Sequence, residues 1–224
     1  MKIAELFYSI QGEGSLAGVP SVFIRTSGCN LRCSWCDTPY TSWEPEGADL
    51  TIEQILDETR SHPARHVVIT GGEPMIAPGI VALCERLRDL GLHITIETAG
   101  TVFQPVACDL MSISPKLSNS TPADPRWAPQ HDRLRLQPAT LAQLMASYPY
   151  QLKFVIEKPD DLGEVRALLG VLKADPARVI LMPEGIDRDR LRERALWLVE
   201  LCKEEGFRFS PRLHVDLYGN RRGV

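Results

Sequence analysis

Three cysteines in one short loop constrain this chain more than any other feature. Cys29, Cys33 and Cys36 are spaced C-x3-C-x2-C and directly follow a strand-like run, Ser21–Thr26. Soft thiolates select zinc, Cu(I) or iron–sulfur clusters and discriminate against magnesium and calcium. Three of them on one loop therefore predict a small metal core with sulfur ligands.

The number of thiolates separates the candidate metal cores. A structural zinc site is normally closed by a fourth ligand, and the next histidine and cysteine, His62 and Cys84, lie outside the usual ligand spacing. A cubane iron–sulfur cluster on three cysteines leaves one iron open, where a substrate or cofactor can bind. A zinc knuckle and a surface thiol cluster remain the alternatives on spacing alone.

The overall composition is that of an ordinary globular chain. Its 224 residues are 44% hydrophobic and 24% charged, and we expect one domain over residues 1–224. The net charge of −4 provides no electrostatic footprint for nucleic acid or a membrane surface. We find no signal-peptide core and no apolar run that would span a bilayer. A cytoplasmic location is expected, where cysteines act as ligands or core residues and not as disulfides.

The remaining three cysteines are predicted to be core residues. Cys84 and Cys202 each lie at helical spacing with apolar neighbours, as small buried hydrophobes do. Cys108 precedes a strand-like segment and is ambiguous, with the core as the preferred interpretation.

Strand-like and helical patterns alternate along the chain. The predicted strands are Ser21–Thr26, His66–Thr70, His93–Thr98, Leu110–Ser114, Gln151–Glu157, Arg178–Met182 and Arg212–Leu217. The predicted helices are Thr51–Ser61, Pro78–Leu90, Ala139–Ser147, Asp160–Leu172 and Asp187–Glu205. Thr51 and Gln54 fit a capping box for the first helix, and the proline-rich stretch Asn119–Gln130 is predicted to be a loop or a lid. The order predicts an α/β fold of parallel β/α units with its chemistry at the carboxyl ends of the strands.

Polar residues follow several predicted strands. Gly71-Gly72-Glu73-Pro74 follows the second strand, where glycines admit a ligand close to the backbone and free carbonyls accept an ammonium group. A plain turn is the alternative. Glu97 ends the third strand and would either bind ribose hydroxyls or form a salt bridge. Lys116 follows the fourth strand and would either pair with a carboxylate or remain exposed.

A second glycine-containing loop precedes the first predicted strand. In Ile10-Gln11-Gly12-Glu13-Gly14, two glycines bracket an amide and a carboxylate. A carboxylate that accepts two N–H donors suits a guanine-like or pterin-like edge, and a simple turn is the alternative. Arg25 shares the Phe23 face of its strand, and an inward arginine needs an anionic partner. A substrate carboxylate or an internal acidic residue would satisfy it.

The cysteine loop, with Trp35 before its third cysteine, resembles the cluster loop of radical S-adenosylmethionine (SAM) enzymes. Over nearly its whole length the chain resembles the 7-carboxy-7-deazaguanine synthase family of that superfamily. The segments that carry the resemblance are Gln11–Gly14, Arg25, Gly28–Cys29, Cys33–Thr38, Thr70–Pro74, Ser114–Lys116 and Ser210–Asp216. The resemblance implies a shortened, partial radical-SAM β/α barrel, typically homodimeric, with its active site at the carboxyl ends of the strands.

The resemblance also implies the cofactors. It places a [4Fe-4S] cluster on Cys29, Cys33 and Cys36, with SAM on the open iron and Mg²⁺ on Thr38. Magnesium takes few protein ligands and favours substrate oxygens and water, so this role for Thr38 is physically reasonable. With the strand-end candidates included, the predicted SAM-binding residues are Ser34, Trp35, Asp37, Gly72, Glu73, Glu97, Ser114, Pro115 and Lys116. The predicted substrate-binding residues are Ile10, Gln11, Gly12, Glu13, Arg25 and Thr70.

The activity implied by the resemblance is conversion of 6-carboxy-5,6,7,8-tetrahydropterin to 7-carboxy-7-deazaguanine with loss of ammonia, on the route to queuosine and other deazapurines. A 5′-deoxyadenosyl radical from SAM would take hydrogen from C6 of the pterin, and SAM would be regenerated after ring contraction. No catalytic side chain is expected beyond the cofactor, because the cofactor carries the chemistry. A one-electron reductant such as flavodoxin or ferredoxin is the implied partner.

Two other classes remain open from the sequence. A different radical SAM enzyme, such as a glycyl-radical-enzyme activase, would share the cysteine loop and the Gly-Gly-Glu-Pro turn but act on a protein. A zinc-binding or redox-sensing module would leave the strand-end residues without a function. His214 is interpreted either as a substrate contact or as an ordinary strand residue. Arg221 and Arg222 belong either to a solvated tail or to the substrate site.

Overall fold

The computed structural model describes residues 1–224. Its strands are β1 (Lys2–Ile10), β2 (Pro20–Thr26), β3 (Ala48–Asp49), β4 (His66–Gly71), β5 (His93–Thr98), β6 (Leu110–Ile113), β7 (Tyr150–Ile156), β8 (Val179–Pro183) and β9 (Arg208–Phe209). All nine strands form one sheet in the order β3-β1-β2-β4-β5-β6-β7-β8-β9. The edge strands β3 and β9 do not pair with each other, so the sheet is an open, partial barrel.

Helices connect most of the successive parallel strands. They are α1 (Pro39–Ser42), α2 (Ile52–Arg60), α3 (Ile80–Asp89), α4 (Ala128–Arg135), α5 (Pro138–Ser147), α6 (Leu162–Leu172), α7 (Arg188–Glu205) and α8 (Leu213–Tyr218). The capping box predicted for α2 is present, since the Thr51 hydroxyl accepts from the Gln54 N–H at 3.2 Å and the Gln54 amide oxygen accepts from the Thr51 N–H at 2.9 Å. None of the helices is both long and apolar enough to cross a membrane.

The strand directions bring one set of strand ends together. β1 is antiparallel to β2, and β3 is antiparallel to β1. From β2 through β4 to β9, every neighbouring pair is parallel. The carboxyl ends of these strands therefore lie along the same rim of the sheet, as the alternation of strands and helices predicted.

The two faces of the sheet differ in polarity, and β7 shows how the sequence produces this. Leu152, Phe154 and Ile156 point towards the helices and are fully buried in a core cluster of 31 residues. Lys153 and Val155 alternate with them and line the cavity on the other face. The helices therefore cover an apolar face, while the concave face carries polar groups.

The cysteines outside the loop occupy the predicted environment. Cys84 and Cys202 belong to the same core cluster, as their helical spacing predicted. Cys108 is half-buried and packs against the cluster. All six cysteines are free thiols.

The strand predicted at Arg212–Leu217 is wrong, because Leu213–Tyr218 is the helix α8. The apolar alternation there is short, and a six-residue pattern also fits one and a half helical turns. Within α8, Val215 is buried while Leu217 is 51% exposed, so alternate residues do not share one face. His214 consequently lies on a helix and not on a strand.

The loop predicted at Asn119–Gln130 is only partly correct. A 3₁₀ turn spans Ser118–Ser120, and α4 begins at Ala128, inside the predicted loop. Pro129 lies in the first turn of α4, where a missing N–H leaves no helical hydrogen bond unmade. The prolines therefore mark a helix start as well as a loop. Three strands were also omitted, since no strand was predicted at β1, β3 or β9.

Candidate active site

A cavity of about 530 Å³ opens on the concave side of the sheet, at the carboxyl ends of the parallel strands. Most of the predicted site residues line it: Ile10, Gln11, Gly12, Glu13, Arg25, Cys29, Cys33, Trp35, Cys36, Asp37, Thr38, Thr70, Gly72, Glu97, Ser114 and Lys116. Ser34, Glu73 and Pro115 do not contribute to the wall. The sequence prediction therefore collects residues from widely separated segments around one cavity.

The cysteine loop forms one end of this cavity, and hydrogen bonds to its backbone fix its path. The Gly28 N–H donates to the Thr41 carbonyl at 2.8 Å, and the Trp43 indole N–H donates to the Cys33 carbonyl at 3.1 Å. The Leu31 N–H points at the Cys29 sulfur, 3.4 Å away. These contacts place the loop beside the rim before any ligand is considered.

The thiols themselves fit a shared cluster better than a closed single-ion site. Burial raises the pKa of Cys29 and of Cys33 to about 12, so as isolated thiols both are protonated at neutral pH. No three His, Cys, Asp or Glu side chains converge to hold a single metal ion, so a closed zinc site has no ligand set here. In a cubane cluster each cysteine binds a different iron, so the three sulfurs need not converge on one point.

The Gly71-Gly72 turn lies in contact with the cysteine loop. A Cβ atom on Gly72 would lie 2.0 Å from the Gly28 carbonyl oxygen and 2.8 Å from that of Thr41. Gly71 has φ +124°, and a Cβ there would lie 2.2 Å from the Thr26 carbonyl oxygen. Only glycine permits this approach of two backbones, so these glycines are required for the shape of the cavity floor.

Glu73 is completely buried beneath this turn and holds it in place. Its carboxylate accepts from the Thr98 hydroxyl at 2.7 Å, the Ala99 N–H at 2.8 Å and the Met75 N–H at 3.0 Å. Burial raises its pKa despite these donors. The structure therefore places Glu73 behind the cavity wall, where it joins the end of β5 to the turn after β4.

The segment predicted as a loop or lid packs against the cysteine loop. Ser120 accepts from the Ser34 N–H at 2.9 Å through its carbonyl, and Asn119 accepts from the Trp35 indole N–H at 3.3 Å through its side chain. His131 accepts from the Arg32 N–H at 3.1 Å. We call residues 118–135 the clamp segment, because all three contacts hold the cysteine loop.

The residues after β6 complete this end of the cavity. The Lys116 ammonium donates to the Ser114 hydroxyl at 2.8 Å and lies 5.7 Å from the centre of the Trp35 ring. Pro115 between them is buried. Lys116 lines the cavity and donates its hydrogen bond to a neutral hydroxyl, so its charge is available there.

A group of ion pairs forms a second part of the cavity wall, which begins at Asp37 directly after the cysteine loop, and we call it the ionic cluster (Glu13, Asp37, Glu97, Lys153 and Arg212). Lys153 makes a close ion pair with Glu13 and lies 3.6 Å from Glu97. Arg212 donates to Glu13 at 3.0 Å and also pairs closely with Asp37. Both cations are nearly fully buried, so each is compensated by carboxylates as buried charges must be.

The charges in this cluster stabilise one another. Burial alone would raise the pKa of Glu13, but Lys153 and Arg212 hold it well below its ordinary value. Burial likewise opposes the charge on Lys153, but Glu13 and Glu97 raise its pKa above the ordinary range. Glu13 and Lys153 are therefore both charged at neutral pH, in a cluster that contains more carboxyl groups than cations.

Glu97 is the member of the cluster that faces the predicted substrate residues. Its two oxygens accept from the Gln11 amide at 3.2 Å and from the Thr70 hydroxyl at 2.8 Å. The salt-bridge alternative for Glu97 is thus present in the structure, through Lys153. Its carboxylate is tied to Gln11 and Thr70 and not to the Ser114 and Lys116 side.

Arg25 enters the cavity on the Phe23 face, as the alternation in β2 predicted. Its guanidinium donates to Glu5 at 2.8 Å, so the internal acidic partner is the one present. Tyr40 and Arg222 donate to the same carboxylate at 2.7 and 3.1 Å. Two arginines therefore share Glu5, and Arg222 has a second partner in Glu46 at 3.2 Å, so Arg25 is the one that depends on Glu5 alone.

Lys153, Arg212 and Glu5 were not identified as site residues from the sequence. Lys153 carried a usable signal, since a lysine at the centre of an otherwise apolar strand is unusual unless it is paired. His214 packs on the Gln11-Gly12-Glu13 loop, since a Cβ on Gly12 would lie 1.9 Å from its ring nitrogen Nδ1. Burial lowers the pKa of His214.

Comparison with known proteins agrees with this geometry. The radical SAM superfamily model matches residues 23–115, which include the cysteine loop and the turn after β4. 7-carboxy-7-deazaguanine synthase from Halobacterium salinarum is 47% identical over 98% of this chain and 91% of the relative. The enzyme of the same name from Rhodopirellula baltica is 48% identical over 99% of this chain and 88% of the relative.

Among solved structures, the crystal structure of QueE from Escherichia coli superposes with a TM-score of 0.70 at 29% identity and covers 95% of this chain. The open β/α sheet, the three-cysteine loop at its rim and the superfamily match define a radical SAM enzyme, a class whose cofactors are a [4Fe-4S] cluster and SAM. Within this class, the full-length relatives place the chain in the 7-carboxy-7-deazaguanine synthase family.

Proposed function

We propose that this enzyme converts 6-carboxy-5,6,7,8-tetrahydropterin to 7-carboxy-7-deazaguanine with loss of ammonia, and uses SAM as a regenerated cofactor. The observation that supports this most strongly is the polarity of the cavity. On one side, Arg25 and Arg222 share Glu5, and Arg222 also pairs with Glu46, so cations and carboxylates are balanced there. In the ionic cluster, by contrast, carboxylates outnumber cations. A ring with a carboxylate at one end and N–H donors at the other matches both.

Arg25 is assigned to the substrate carboxylate. It reaches the cavity beside Phe7 and Phe23, whose rings stack with centroids 5.0 Å apart. A planar guanidinium can bind a carboxylate through two parallel hydrogen bonds, which fixes the orientation of the substrate as well as its charge. Glu5 orients Arg25 from the opposite side.

The donor edge of the pterin is assigned to the other wall. Glu13 and Glu97 are acceptors when ionised, and an exocyclic amine with an adjacent ring N–H presents donors to them. Gln11 and Thr70 hold Glu97 in position by donating to its two oxygens. The backbone of Ile10 and Gly12 lies at the same wall.

The cofactor end is assigned to the cysteine loop. Cys29, Cys33 and Cys36 would hold the [4Fe-4S] cluster, which would supply the one-electron cleavage of SAM needed for hydrogen abstraction at C6. The Gly71-Gly72 turn offers backbone to the methionyl part of SAM, and Lys116 offers a cation. Leu31 and Ala99 pack with Cys33 in a small apolar cluster, which limits access of water.

Of the remaining predicted SAM contacts, Trp35, Asp37 and Ser114 line the cavity and stay assigned to SAM. Ser34, Glu73 and Pro115 lie outside the wall and would act by supporting it, and Glu97 is assigned to the substrate side instead. Thr38 is assigned to Mg²⁺, with the substrate carboxylate and water as the other ligands. Its hydroxyl lines the cavity 3.9 Å from the Cys36 sulfur. We also assign to this enzyme a homodimeric state and a flavodoxin or ferredoxin as electron donor.

An anaerobic turnover assay tests the proposal. The reconstituted enzyme would be given SAM, Mg²⁺, a reductant and 6-carboxy-5,6,7,8-tetrahydropterin, with product detected by mass spectrometry. We expect 7-carboxy-7-deazaguanine from the wild type and none from Cys33→Ala. Arg25→Gln should lose about 100-fold in turnover at low substrate while it still cleaves SAM, because a charge-assisted double hydrogen bond is lost.

The matched control is Arg86→Gln, because Arg86 forms an exposed ion pair with Glu53 far from the cavity. This variant should turn over like the wild type. Reductive cleavage of SAM by the wild type without any deazaguanine product would retain the radical SAM class and contradict the pterin substrate.

A further inference from the structure

Lys153 is a buried charged residue that has no assigned role in the proposed reaction. It lies in the middle of β7 between Leu152 and Phe154, and only 4% of it is exposed. A buried lysine destabilises the folded protein unless its charge is paired, so the role of Lys153 must be sought in the groups that it contacts. Its side chain crosses to the cavity wall formed by the Gln11-Gly12-Glu13 loop and the end of β5.

The ammonium group of Lys153 lies between two carboxylates of the substrate wall. It pairs closely with Glu13 and stands 3.6 Å from Glu97. Glu13 comes from the loop after β1 and Glu97 from the end of β5. The neutral Gln11 amide also links them, because it donates to Glu97 and accepts from the Glu13 N–H, both at 3.2 Å. The second cation of the cluster, Arg212, contacts Glu13 and Asp37 but not Glu97. Lys153 is therefore the cation that Glu13 and Glu97 share.

Without Lys153, Glu13 would keep Arg212 as a partner, but Glu97 would have no cation and none would lie between the two carboxylates. Neighbouring carboxylates that lack a cation share a proton, because two like charges at short range cannot both persist. A protonated carboxyl group donates one hydrogen bond where the ionised group only accepts. The wall would then present a donor to the donor edge of the substrate.

We propose that Lys153 is a positioning residue that makes the site specific for a 2-amino-4-oxo ring, because it holds Glu13 and Glu97 as a fixed pair of acceptors. The inference rests on the proposed function, and it identifies the 2-amino end of the pterin ring as the part that these carboxylates recognise. Two ionised acceptors match an exocyclic amine and repel a carbonyl oxygen at the same position. Lys153 itself takes no part in the chemistry, since its ammonium is occupied by the two carboxylates.

Binding of two matched probes tests this assignment. The probes are 6-carboxypterin and 6-carboxylumazine, which carries an oxygen in place of the 2-amino group. Each would be titrated into the anaerobic, cluster-loaded enzyme with SAM by calorimetry at pH 7. We expect the wild type to prefer the pterin by about 10- to 100-fold, the value of one or two charge-assisted hydrogen bonds.

Lys153→Met should reduce this preference to about threefold or less, because one carboxyl group becomes a donor. The preference should partly return as the pH is raised, since the shared proton is then lost. A purely structural role for Lys153 would weaken both probes equally and leave the ratio unchanged at every pH. The control is Lys203→Met, an exposed lysine paired with Glu200, which should keep the wild-type ratio.

Three different outcomes would contradict the role of Lys153, and one of them would also contradict the proposed function. A wild-type ratio in folded Lys153→Met contradicts the role of Lys153 alone. A wild type that binds 6-carboxypterin no better than 6-carboxylumazine also contradicts this inference, although turnover would still support the proposed function. A wild type that binds neither probe and makes no deazaguanine contradicts both.

Should Lys153→Met fail to fold, Lys153→Arg provides the test, because it retains the positive charge between the carboxylates. We then expect its ratio to stay within about threefold of the wild type. A folded Lys153→Arg protein whose ratio has collapsed would contradict the assignment of this role to the charge.

Discussion

The two ends of the cavity are built by different means. At the cysteine end, the contacts fix the backbone of the loop: Gly72 lies against the Gly28 carbonyl, and the Ser120 carbonyl and the His131 imidazole accept from loop N–H groups. The ionic cluster, by contrast, joins residues far apart in the chain through charge alone. Arg212, for example, reaches Glu13 across 199 positions.

The two ends should therefore be sensitive to different kinds of substitution. A contact between two backbones has no slack, so a single added methyl group disturbs the cysteine end. An ionic cluster tolerates changes of shape better than changes of charge, because removal of one partner leaves another charge buried. Even a small increase in side-chain size should therefore disturb the cysteine end, whereas the ionic cluster should be disturbed mainly by removal of a charge.

The largest effect should come from loss of a cysteine ligand. Cys33→Ala is expected to abolish iron loading and activity, because three thiolates are the fewest that hold the cluster in this class. Binding of 6-carboxypterin at the ionic wall should persist, since its residues are not changed. Iron analysis and calorimetry on the same preparation measure both properties. Cys202→Ala in the core is the control, and a wild-type iron content in Cys33→Ala would contradict the assignment.

Loss of Arg212 should be the next largest effect and act at the other wall. Arg212→Met is expected to lower the free energy of unfolding by about 3 to 5 kcal/mol, because Glu13 and Asp37 are left without this cation. The pKa of Glu13 is held below its ordinary value of 4.5, so its contribution to stability is present above that pH. It is lost as the pH falls below 4.5.

The difference between the wild type and Arg212→Met, measured by denaturant unfolding, should therefore shrink on acidification. Arg192→Met is the matched control, because Arg192 forms an exposed pair with Asp216. A difference that stays constant from neutral to acid pH would show that packing, and not charge, accounts for the role of Arg212.

A single methyl group tests the backbone contact at the cysteine end. Gly72→Ala should destabilise the protein by about 1 to 3 kcal/mol and weaken SAM binding, because its Cβ would overlap backbone atoms that cannot move aside. Gly170→Ala in α6 is the control, since nothing lies within 4 Å of a Cβ there. The control should stabilise the helix by about 0.5 to 1 kcal/mol. Equal stability of the two variants in denaturant unfolding would disprove the steric argument.

The smallest expected effect is the contribution of His131, in the clamp segment, to the free energy of unfolding, and it is detected by varying the pH. Burial lowers the pKa of His131 from 6.5, so its neutral form accepts from the Arg32 N–H. Its contribution to stability is full above pH 6.5 and is lost as the pH falls through its lowered pKa in the folded protein. The wild type should lose about 1 kcal/mol more than His131→Asn between pH 7.5 and pH 5.

His62→Asn provides the comparison for that measurement, because His62 lies outside the site and pairs with Glu58 on the surface of the protein. Denaturant midpoints at the two pH values are sufficient. An identical acid response in the wild type and His131→Asn would remove His131 from the clamp.

The contrast between the two ends also explains what could be predicted from the sequence. The cysteine end is encoded by contiguous motifs, Cys29 to Cys36 and Gly71 to Pro74, so both were identified before the fold was known. The ionic wall was found only in part, through Glu13, Asp37 and Glu97. Lys153 and Arg212 escaped because no local pattern shows which carboxylate will face a given cation after folding.

The errors in secondary structure have a related origin. The helix α8 was predicted as a strand because its apolar residues alternate over six positions, whereas its position is set by Arg212, which is anchored in the ionic cluster. The start of α4 was missed because Pro129 was treated as a loop residue. In both cases contacts with distant residues outweighed the local pattern.

The long sequence separations within the ionic cluster determine the order in which the parts of the site can form during translation. Glu13 emerges early from the ribosome, but Arg212 follows 199 residues later, about 10 to 40 s at ordinary rates of translation. The contacts between the cysteine loop and His131 span only 99 residues. A nascent chain can therefore shape the loop that receives iron and sulfur well before its substrate wall exists. Cluster insertion and substrate recognition thus become separable events in the life of the protein.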